Sequence, residues 1–397
     1  MNPVVVNGRV TAFPDQQCTR CVQDTTVPGI TFDAEGICNF CDLHDRLEQK
    51  FPNDELGQAR LQKLLRQIRK DSRGKTFDCL VGISGGRDST ALLYNAVKKW
   101  GLKPLAVHFN NGFDNPVAGE NMVKACKILG VDLRTITSDW RESKDIRIAF
   151  LKASTPDLNL GSDLGIASAL YGVATKEKIR HILIGQSFRT EGIKPLSWSY
   201  FDGDYLRAVH NIYGTVPLRK WQAEDPGFHL GWRELFTYSI VKGIRVHTPL
   251  YHINYIRSES AERITTELGW VYPGAHYFDD LYHSLVKYIH RVKFNIDLNI
   301  NSDSALVRSG QMNRDEALTR AHSISNIEDR EVIELCIKRL GLTNSDLDEF
   351  MALPPKTFRD YPSSYPLIRM FRPAIWLLCL MNFLPSVTYD KYFRCGK

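Results

Sequence analysis

The sequence predicts an α/β fold: a doubly wound parallel sheet, with a cysteine knuckle in front of it and a helical region behind. Three observations carry this. Between residues 76 and 184, short apolar runs alternate with helix-period runs, as strands and their crossover helices do in a parallel sheet. Two C-x2-C pairs stand within the first 41 residues. Residues 255–350 read as almost wholly helical. The 397 residues allow two to three domains at roughly 150 residues each, enough to bury a core without disulfides. With 43% hydrophobic and 24% charged residues, the composition excludes a disordered tail protein, a collagen-like rod and a small secreted disulfide knot. The net charge of +6 is thinly spread. It suits an anionic small-molecule substrate, and no nucleic-acid partner is expected, since that asks for a concentrated basic face.

The opening residues lack a charged stretch followed by an apolar one, so no signal peptide is expected. No apolar run reaches the ~20 residues of a membrane-spanning helix, so no transmembrane segment is expected either. A cytoplasmic chain follows as the expectation, with its nine cysteines as thiols or metal ligands. Cys18-Thr-Arg-Cys21 and Cys38-Asn-Phe-Cys41 are separated by sixteen residues. That spacing reads as a closed tetrahedral site of four thiolates, Cys18, Cys21, Cys38 and Cys41, holding structural Zn2+. An iron–sulfur cluster could use the same ligands. Cys79 and Cys126 fall on apolar patterns and read as core residues, while Cys336, Cys379 and Cys395 are scattered.

The expected organisation is a knuckle region over 1–50, an α/β domain over 51–250, a mostly helical domain over 251–350 and a proline- and aromatic-rich tail over 351–397. Residues 54–72 form an amphipathic helix with Leu61, Leu64, Leu65 and Ile68 on one stripe. Phe77–Ile83 is a strand, and Asp88–Trp100 a helix. Pro104–Phe109 is a second strand, followed by a helix near 115–130 and a strand over Asp132–Ile136. A helix over 163–179 is expected to start after Ser162 as its cap. His181–Ile184 is a further strand. Residues 190–250 read as loops rich in aromatics. The tail contains Ala374–Leu384, an apolar stretch broken by Asn382 and ended by Pro385, too short to cross a bilayer and read as core or partner contact rather than membrane-surface docking.

The most informative run is Ser84-Gly85-Gly86-Arg87-Asp88-Ser89, between a buried strand and a helix. Two glycines permit positive φ and close approach of a ligand to the backbone. Free N–H groups at the helix start then face an anion, helped by the helix dipole. Ser84 and Ser89 add hydroxyls, and Asp88 beside phosphate makes sense if it holds Mg2+. The run is neither a Walker loop nor a dinucleotide fingerprint.

This run resembles the SGGxDS signature of the PP-loop (N-type) ATP pyrophosphatases, which cleave ATP between the α- and β-phosphates. With Gly185-Gln186-Ser187-Phe188-Arg189-Thr190-Glu191-Gly192 at a strand end, Lys293-Phe294, Ser309-Gly310-Gln311-Met312 through Glu316-Ala317-Leu318, and the double knuckle in front, the chain resembles the N-acetyl sugar amidotransferases of bacterial surface-polysaccharide synthesis, the WbpG/PseA type. The resemblance spans about residues 15–320 and implies an adenine nucleotide alpha hydrolase-like fold. It further implies ATP-dependent conversion of an N-acetyl group on a nucleotide-linked sugar to an acetamidino group, in lipopolysaccharide or O-antigen biosynthesis. Ammonia would come from a HisH-like glutaminase subunit, perhaps with a HisF-like barrel as conduit, because no glutaminase half is visible in the chain.

Such a reaction asks for a pyrophosphate cradle, an adenosine pocket and groups near the transferred centre. Ser84 to Ser89 supply the first. His108 and Asn110, at the end of the second strand, and Gly185 and Gln186, at the end of a third, are candidates for the second. Asp88, Arg189 and Glu191 are the catalytic candidates; Arg189, Lys194, Trp198 and Tyr200 are the substrate-binding candidates, with Asp202 and Tyr205 beside them. Two alternatives stay open: a tRNA-thiolating PP-loop enzyme, and a non-catalytic zinc-ribbon scaffold that binds ATP.

Overall fold

The computed structural model describes residues 5–6, 9–10, 16–225, 227, 229–273, 280–322, 329–381, 383–384 and 387–393; Asn382, Pro385 and Cys395 lie outside them. Two strands, β1 (Val5–Val6) and β2 (Arg9–Val10), pair antiparallel near the start. The main sheet comprises β3 (Cys79–Gly82), β4 (Pro104–Asn110), β5 (Leu133–Thr137), β6 (His181–Leu183) and β7 (Arg245–His247). Its order is β5-β4-β3-β6-β7 and every pairing is parallel. The chain therefore runs outward from the central β3 to one edge, then returns to build the other half. The reversal between β3 and β6 opens a crevice at the carboxyl ends of those two strands, where ligands of such sheets collect.

Strand residues alternate between two cores, as the period of two demands. Leu80, Leu105, Val107 and Ile182 join one cluster. Cys79, Val81, Ala106 and Leu183 join the other. The first face is covered by α5 (Trp140–Ala153), α6 (Leu160–Lys176) and α8 (Gly203–Tyr213). The second is covered by α2 (Glu55–Asp71), α3 (Arg87–Tyr94), α4 (Pro116–Leu129) and α10 (Arg257–Leu268). Cys79 and Cys126 are buried in it, as their apolar settings predict. A third cluster joins the cysteine knuckle and α1 (Asn39–Lys50) to α7 (Phe188–Glu191) and to the helices behind the sheet.

Those helices are α11 (Tyr282–Phe294), α12 (Leu298–Arg308), α13 (Arg314–His322), α14 (Arg330–Arg339) and α15 (Asn344–Ala352). The tail adds α16 (Tyr365–Met370), α17 (Arg372–Leu380) and α18 (Thr388–Phe393). A short α9 (Trp232–Phe236) precedes β7. No helix among the described residues is long and apolar enough to cross a membrane.

Several sequence expectations shift. The helix starting at Asp54 keeps its bounds, with the Asp54 side chain accepting from the N–H of Leu56 at 2.9 Å and of Gly57 at 3.2 Å. The helix expected over 163–179 begins earlier, at Leu160, so Ser162 is inside it and is no cap. Its hydroxyl instead accepts from Arg147 at 2.9 Å and Asn111 at 3.2 Å. The segment read as aromatic loops contains α8 and the fifth strand, β7. α5 was also unread, because its inward face mixes Ile146, Ala149 and Phe150 with buried Glu142, Asp145 and Arg147.

The approach of α2 to the preceding turn demands glycine at position 57. A Cβ there would lie 1.8 Å from the Pro52 carbonyl oxygen. Gly57→Ala is expected to destabilise by about 1–3 kcal/mol or more through overpacking. Gly119→Ala, on α4 where a Cβ meets nothing within 4 Å, is expected to be neutral or stabilising by up to ~1 kcal/mol. Denaturant unfolding of the two variants checks the contrast; equal stabilities would contradict it.

Candidate functional site

The loop between β3 and α3 is built by contacts that only glycine permits. Gly85 has φ +78°, and a Cβ on it would lie 2.0 Å from the Ala118 carbonyl oxygen on α4. The Gly85 carbonyl accepts from Trp270 Nε1 at 2.9 Å and Asn121 Nδ2 at 3.4 Å. On the other side of the crevice, a Cβ on Gly185, just past β6, would meet the Asp88 carbonyl oxygen at 2.8 Å. Helix α4 and the end of β6 thus press on the same turn from two sides.

Inside the turn the serines hold each other. The Ser84 N–H donates to Ser89 Oγ at 3.2 Å, and the two hydroxyls lie 3.1 Å apart. Ser89 Oγ donates to the Gly86 carbonyl at 3.2 Å. The N–H groups of Arg87, Asp88 and Ser89, in the first turn of α3, have no acceptor among the described residues. Gly86 at the N-cap supplies no side-chain cap. Unsatisfied N–H groups at a helix start, with the positive end of its dipole, form a ready anion site.

Asp88 is held by three contacts. Arg87 donates to it with Nε at 2.7 Å and with its terminal nitrogen at 3.1 Å, and the Tyr255 hydroxyl donates at 2.5 Å. Burial first, and then the Asp88 charge, push the Tyr255 phenol well above its ordinary pKa, so it stays a donor. Tyr255, Trp270 and Asn121 escaped the sequence reading. No local pattern marks them, since Tyr255 and Trp270 flank α10, Asn121 lies on α4, and their contacts with the turn span more than 30 residues.

The other expected site residues divide. His108 Nδ1 lies 3.1 Å from the Ile83 carbonyl and Nε2 lies 2.8 Å from Asp114, so the ring braces the strand end. Asn110 turns its oxygen to the Gly112 N–H at 2.9 Å, leaving its amide nitrogen without a partner among the described residues. Gln186 and Lys194 are exposed. Glu191 is also exposed, and its carbonyl accepts from Asn301 at 2.6 Å.

Three assignments are corrected. Arg189, expected at phosphate or sugar carboxylate, is 2% exposed and bonded inward. Its fork meets both oxygens of Glu48 at 2.7 and 2.5 Å, and its remaining donors reach the carbonyls of Tyr251 at 2.9 Å and Phe51 at 2.7 Å. Four of its five N–H donors are thus spent inside the protein, on a side chain that is 2% exposed. Trp198 is buried in the cluster that contains the knuckle. Tyr200 is buried with its ring stacked 4.1 Å from Phe358 of the tail and its hydroxyl on Asp202 at 3.1 Å. Tyr205, also fully buried, donates to Thr155 at 2.9 Å. These aromatics are core, packed by the tail.

The four knuckle sulfurs all lie within 4.8 Å of one another. Cys18–Cys41, Cys21–Cys38 and Cys38–Cys41 are 3.8, 3.7 and 3.7 Å apart. A tetrahedron with metal–sulfur bonds of about 2.3 Å has edges of about 3.8 Å, so this set fits a single ion. A cluster would divide its sulfurs among several irons and spread them. The donor set could hold a metal, and Arg308 from the end of α12 faces it, donating to Cys21 at 3.1 Å and Cys41 at 3.3 Å and to Gln23 at 2.7 Å. Arg314 of α13 donates to the Cys18 and Cys21 carbonyls at 2.8 and 3.1 Å. A cavity of ≈170 Å³ lies elsewhere, between α1 and α17–α18, lined by Leu43, Trp376 and Leu380 together with the charged Arg46, Lys50 and Asp390. It has none of the loop's donors.

Comparison with known proteins follows from this geometry. Residues 275–373 match a family described as "LPS biosynthesis protein WbpG-like, C-terminal domain". The chain carries a WbpG-like C-terminal domain. With the SGGxDS loop on a parallel sheet, this bears out the resemblance to a WbpG-type PP-loop protein. The WbpG-like match extends past residue 350 into α17, a stretch the sequence reading had left unmatched. An uncharacterised protein of Methanocaldococcus jannaschii is 28% identical over 127 residues, which is 32% of this chain and 44% of that protein. The chain therefore spans less than half the length of that curated relative. Among solved structures, an NH3-dependent NAD synthetase from Campylobacter jejuni is 13% identical with TM-score 0.31, covering 76% of this chain and 98% of that one. The U34-tRNA thiolase NcsA from Methanococcus maripaludis, with its [4Fe-4S] cluster, is 14% identical with TM-score 0.32, covering 83% and 99%. At such scores these likenesses carry no argument; the fold rests on the sheet itself.

Two outcomes follow from this geometry. Elemental analysis is expected to find one metal ion per chain, lost on Cys38→Ser, with more than about 2 kcal/mol of stability and several degrees of Tm lost with it. Unchanged metal content would refute the site. The second concerns the Arg189–Glu48 pair. Burial alone raises the Glu48 carboxyl, but hydrogen bonds from His44 and the Arg189 fork outweigh it and hold it at about 2. A carboxyl depressed in the folded state stabilises fully above its ordinary pKa near 4.5, and loses that contribution as pH falls toward about 2. Arg189→Met is therefore expected to cost about 2–4 kcal/mol at pH 7, less than a fully buried pair because Glu48 is partly exposed, and clearly less at pH 2.5, where most of the ionic part is gone and the donors lost by the Tyr251 and Phe51 carbonyls remain. Chemical denaturation at both pH values measures this; an equal loss at each would contradict it.

Proposed function

We propose that this protein is an ATP-dependent amidotransferase that converts an N-acetyl group of a nucleotide-linked sugar to an acetamidino group. The observation that carries this reading is the Ser84–Ser89 turn: unsatisfied N–H groups at the start of α3, on the sheet's crevice, in a chain with a WbpG-like C-terminal domain.

An acetamide is a poor electrophile, so its oxygen has to become a leaving group before ammonia can replace it. In the proposed reaction that oxygen attacks the α-phosphate of ATP, forming an O-adenylyl imidate and releasing pyrophosphate. Ammonia adds to the imidate carbon, a proton is lost and AMP departs, leaving the amidine. The protein's part is positioning and charge neutralisation. The α3 N–H groups and the Ser84 and Ser89 hydroxyls would receive the departing pyrophosphate. Asp88 would hold Mg2+, since it is the carboxylate at the turn, and Tyr255 fixes its rotamer. The unpartnered amide nitrogen of Asn110 and the exposed Gln186, both at carboxyl ends of strands, are placed for adenosine. The knuckle would hold structural Zn2+. Ammonia would be supplied by a separate glutaminase subunit.

The test is incubation with a diacetamido UDP-sugar, ATP and high ammonium, read by mass spectrometry. AMP, pyrophosphate and a product lighter by about one mass unit are expected, since oxygen is replaced by NH. ADP as product would overturn the mechanism. Asp88→Asn is expected to lower turnover by a factor on the order of 10³ or more with an unchanged circular dichroism spectrum; retained turnover would remove Asp88 from the cradle.

A further inference from the structure

The turn has donors but little spare positive charge. The Arg87 fork is occupied by Asp88. Arg189 is locked on Glu48. Arg308 faces the cysteine sulfurs. A polyphosphate arriving at α3 would bring several negative charges to a site whose own arginine is already neutralised.

Arg257 is the exception. It is the first residue of α10, a helix packed against α3, and it lies two residues after Tyr255, whose hydroxyl reaches Asp88. Its backbone is fixed: the Arg257 N–H donates to Gln311 Oε1 at 2.8 Å, while Gln311 Nε2 donates to the Tyr255 carbonyl at 3.2 Å. One side-chain amide thereby clamps the segment that carries both residues. The Arg257 guanidinium, by contrast, has neither a hydrogen-bond acceptor nor an ion-pair partner among the described residues, although the residue is half-buried. An arginine that a fold withdraws from water is ordinarily paired, because desolvation of its charge is costly. Here desolvation first, and then the charge of Arg87, lower the Arg257 pKa, while Asp88 offsets only part of this.

We propose that Arg257 is a phosphate clamp: the unpaired guanidinium that binds the pyrophosphate portion of ATP beside the Ser84–Ser89 turn. The assignment rests on the nucleotide reading of that turn and adds to it a residue from a different element. The planar fork matches two phosphate oxygens at once, and the bound polyanion supplies the partner that the protein withholds. Arg257 would thus contact the leaving group, whose charge grows as the bond to the α-phosphate breaks, and count as a catalytic residue.

Isothermal titration with inorganic pyrophosphate, and separately with adenosine, tests this on the full chain. Arg257→Ala is expected to weaken pyrophosphate binding at least tenfold while adenosine binding stays within twofold of the wild type. Arg257→Lys is expected to fall between, since it restores charge without the fork. A merely structural arginine would lower Tm and weaken both ligands alike, which would overturn the assignment. Pyrophosphate binding by Arg257→Ala within twofold of the wild type would overturn it too, leaving the turn's own role intact. A wild-type chain that binds no pyrophosphate would overturn the nucleotide reading and the clamp together.

Discussion

Three backbone N–H groups at the start of α3, without an acceptor among the described residues, are the constraint around which the rest is arranged. Leaving buried-edge donors unsatisfied costs stability, so the fold has to hold the turn in place by other means. It does so with packing that excludes side chains. Gly85 meets the backbone of α4 and Gly185 meets the backbone of α3, and at either position a Cβ would fall inside 3 Å of a backbone atom. The turn is clamped between α4 and the end of β6, yet the donors stay open to whatever enters the crevice. An anion is the species that satisfies N–H groups and the helix dipole together.

Partnering separates structural cations from functional ones more sharply than position in sequence does. Arg189 stands next to the crevice in chain order, but four of its five donors are spent on Glu48 and two carbonyls, so it ties α7 to α1. Arg308 and Arg314 perform the same service for the knuckle. Four thiolates around a divalent ion would carry a net charge of −2, and Arg308 lies against two of those sulfurs. These contacts bring α12 and α13, within the WbpG-like segment, onto the cysteine loops nearly 300 residues away in sequence. Through Arg308 and Arg314 the cysteine knuckle therefore docks the N-terminal region onto the helices behind the sheet.

The sheet was legible because a doubly covered parallel strand writes itself as a continuous apolar run, as in Leu80–Val81 and Leu105–Val107. The turn was legible because its chemistry is local: glycines, hydroxyls and a helix start within six residues. The knuckle spacing was legible for the same reason. What failed was long-range. Strand β7 has three residues, Arg245 to His247, and takes its place only by pairing with β6. Helix α5 buries charged residues that are satisfied by distant partners, such as Asp145 on Thr215 and His210. Arg189 meets Glu48 across 141 residues. No local pattern announces such pairs, so an arginine beside a motif reads as part of the motif.

The aromatic loop after α7 shows the same limit from the apolar side. Trp198, Tyr200 and Tyr205 look like a sugar-stacking platform in sequence, yet a ring can stack on only one partner per face. Phe358 occupies a face of Tyr200, while Tyr365 and Tyr392 crowd its edges and Tyr361 lies against Tyr205. The tail has taken the position that a ligand would need. Acceptor recognition built on these rings would require the tail to leave, exposing some of the most deeply buried side chains in the molecule. The exposed Lys194, beyond α7, presents no such cost. Exposed polar groups such as Lys194 are thus more consistent with a ligand contact than rings already packed within the aromatic segment.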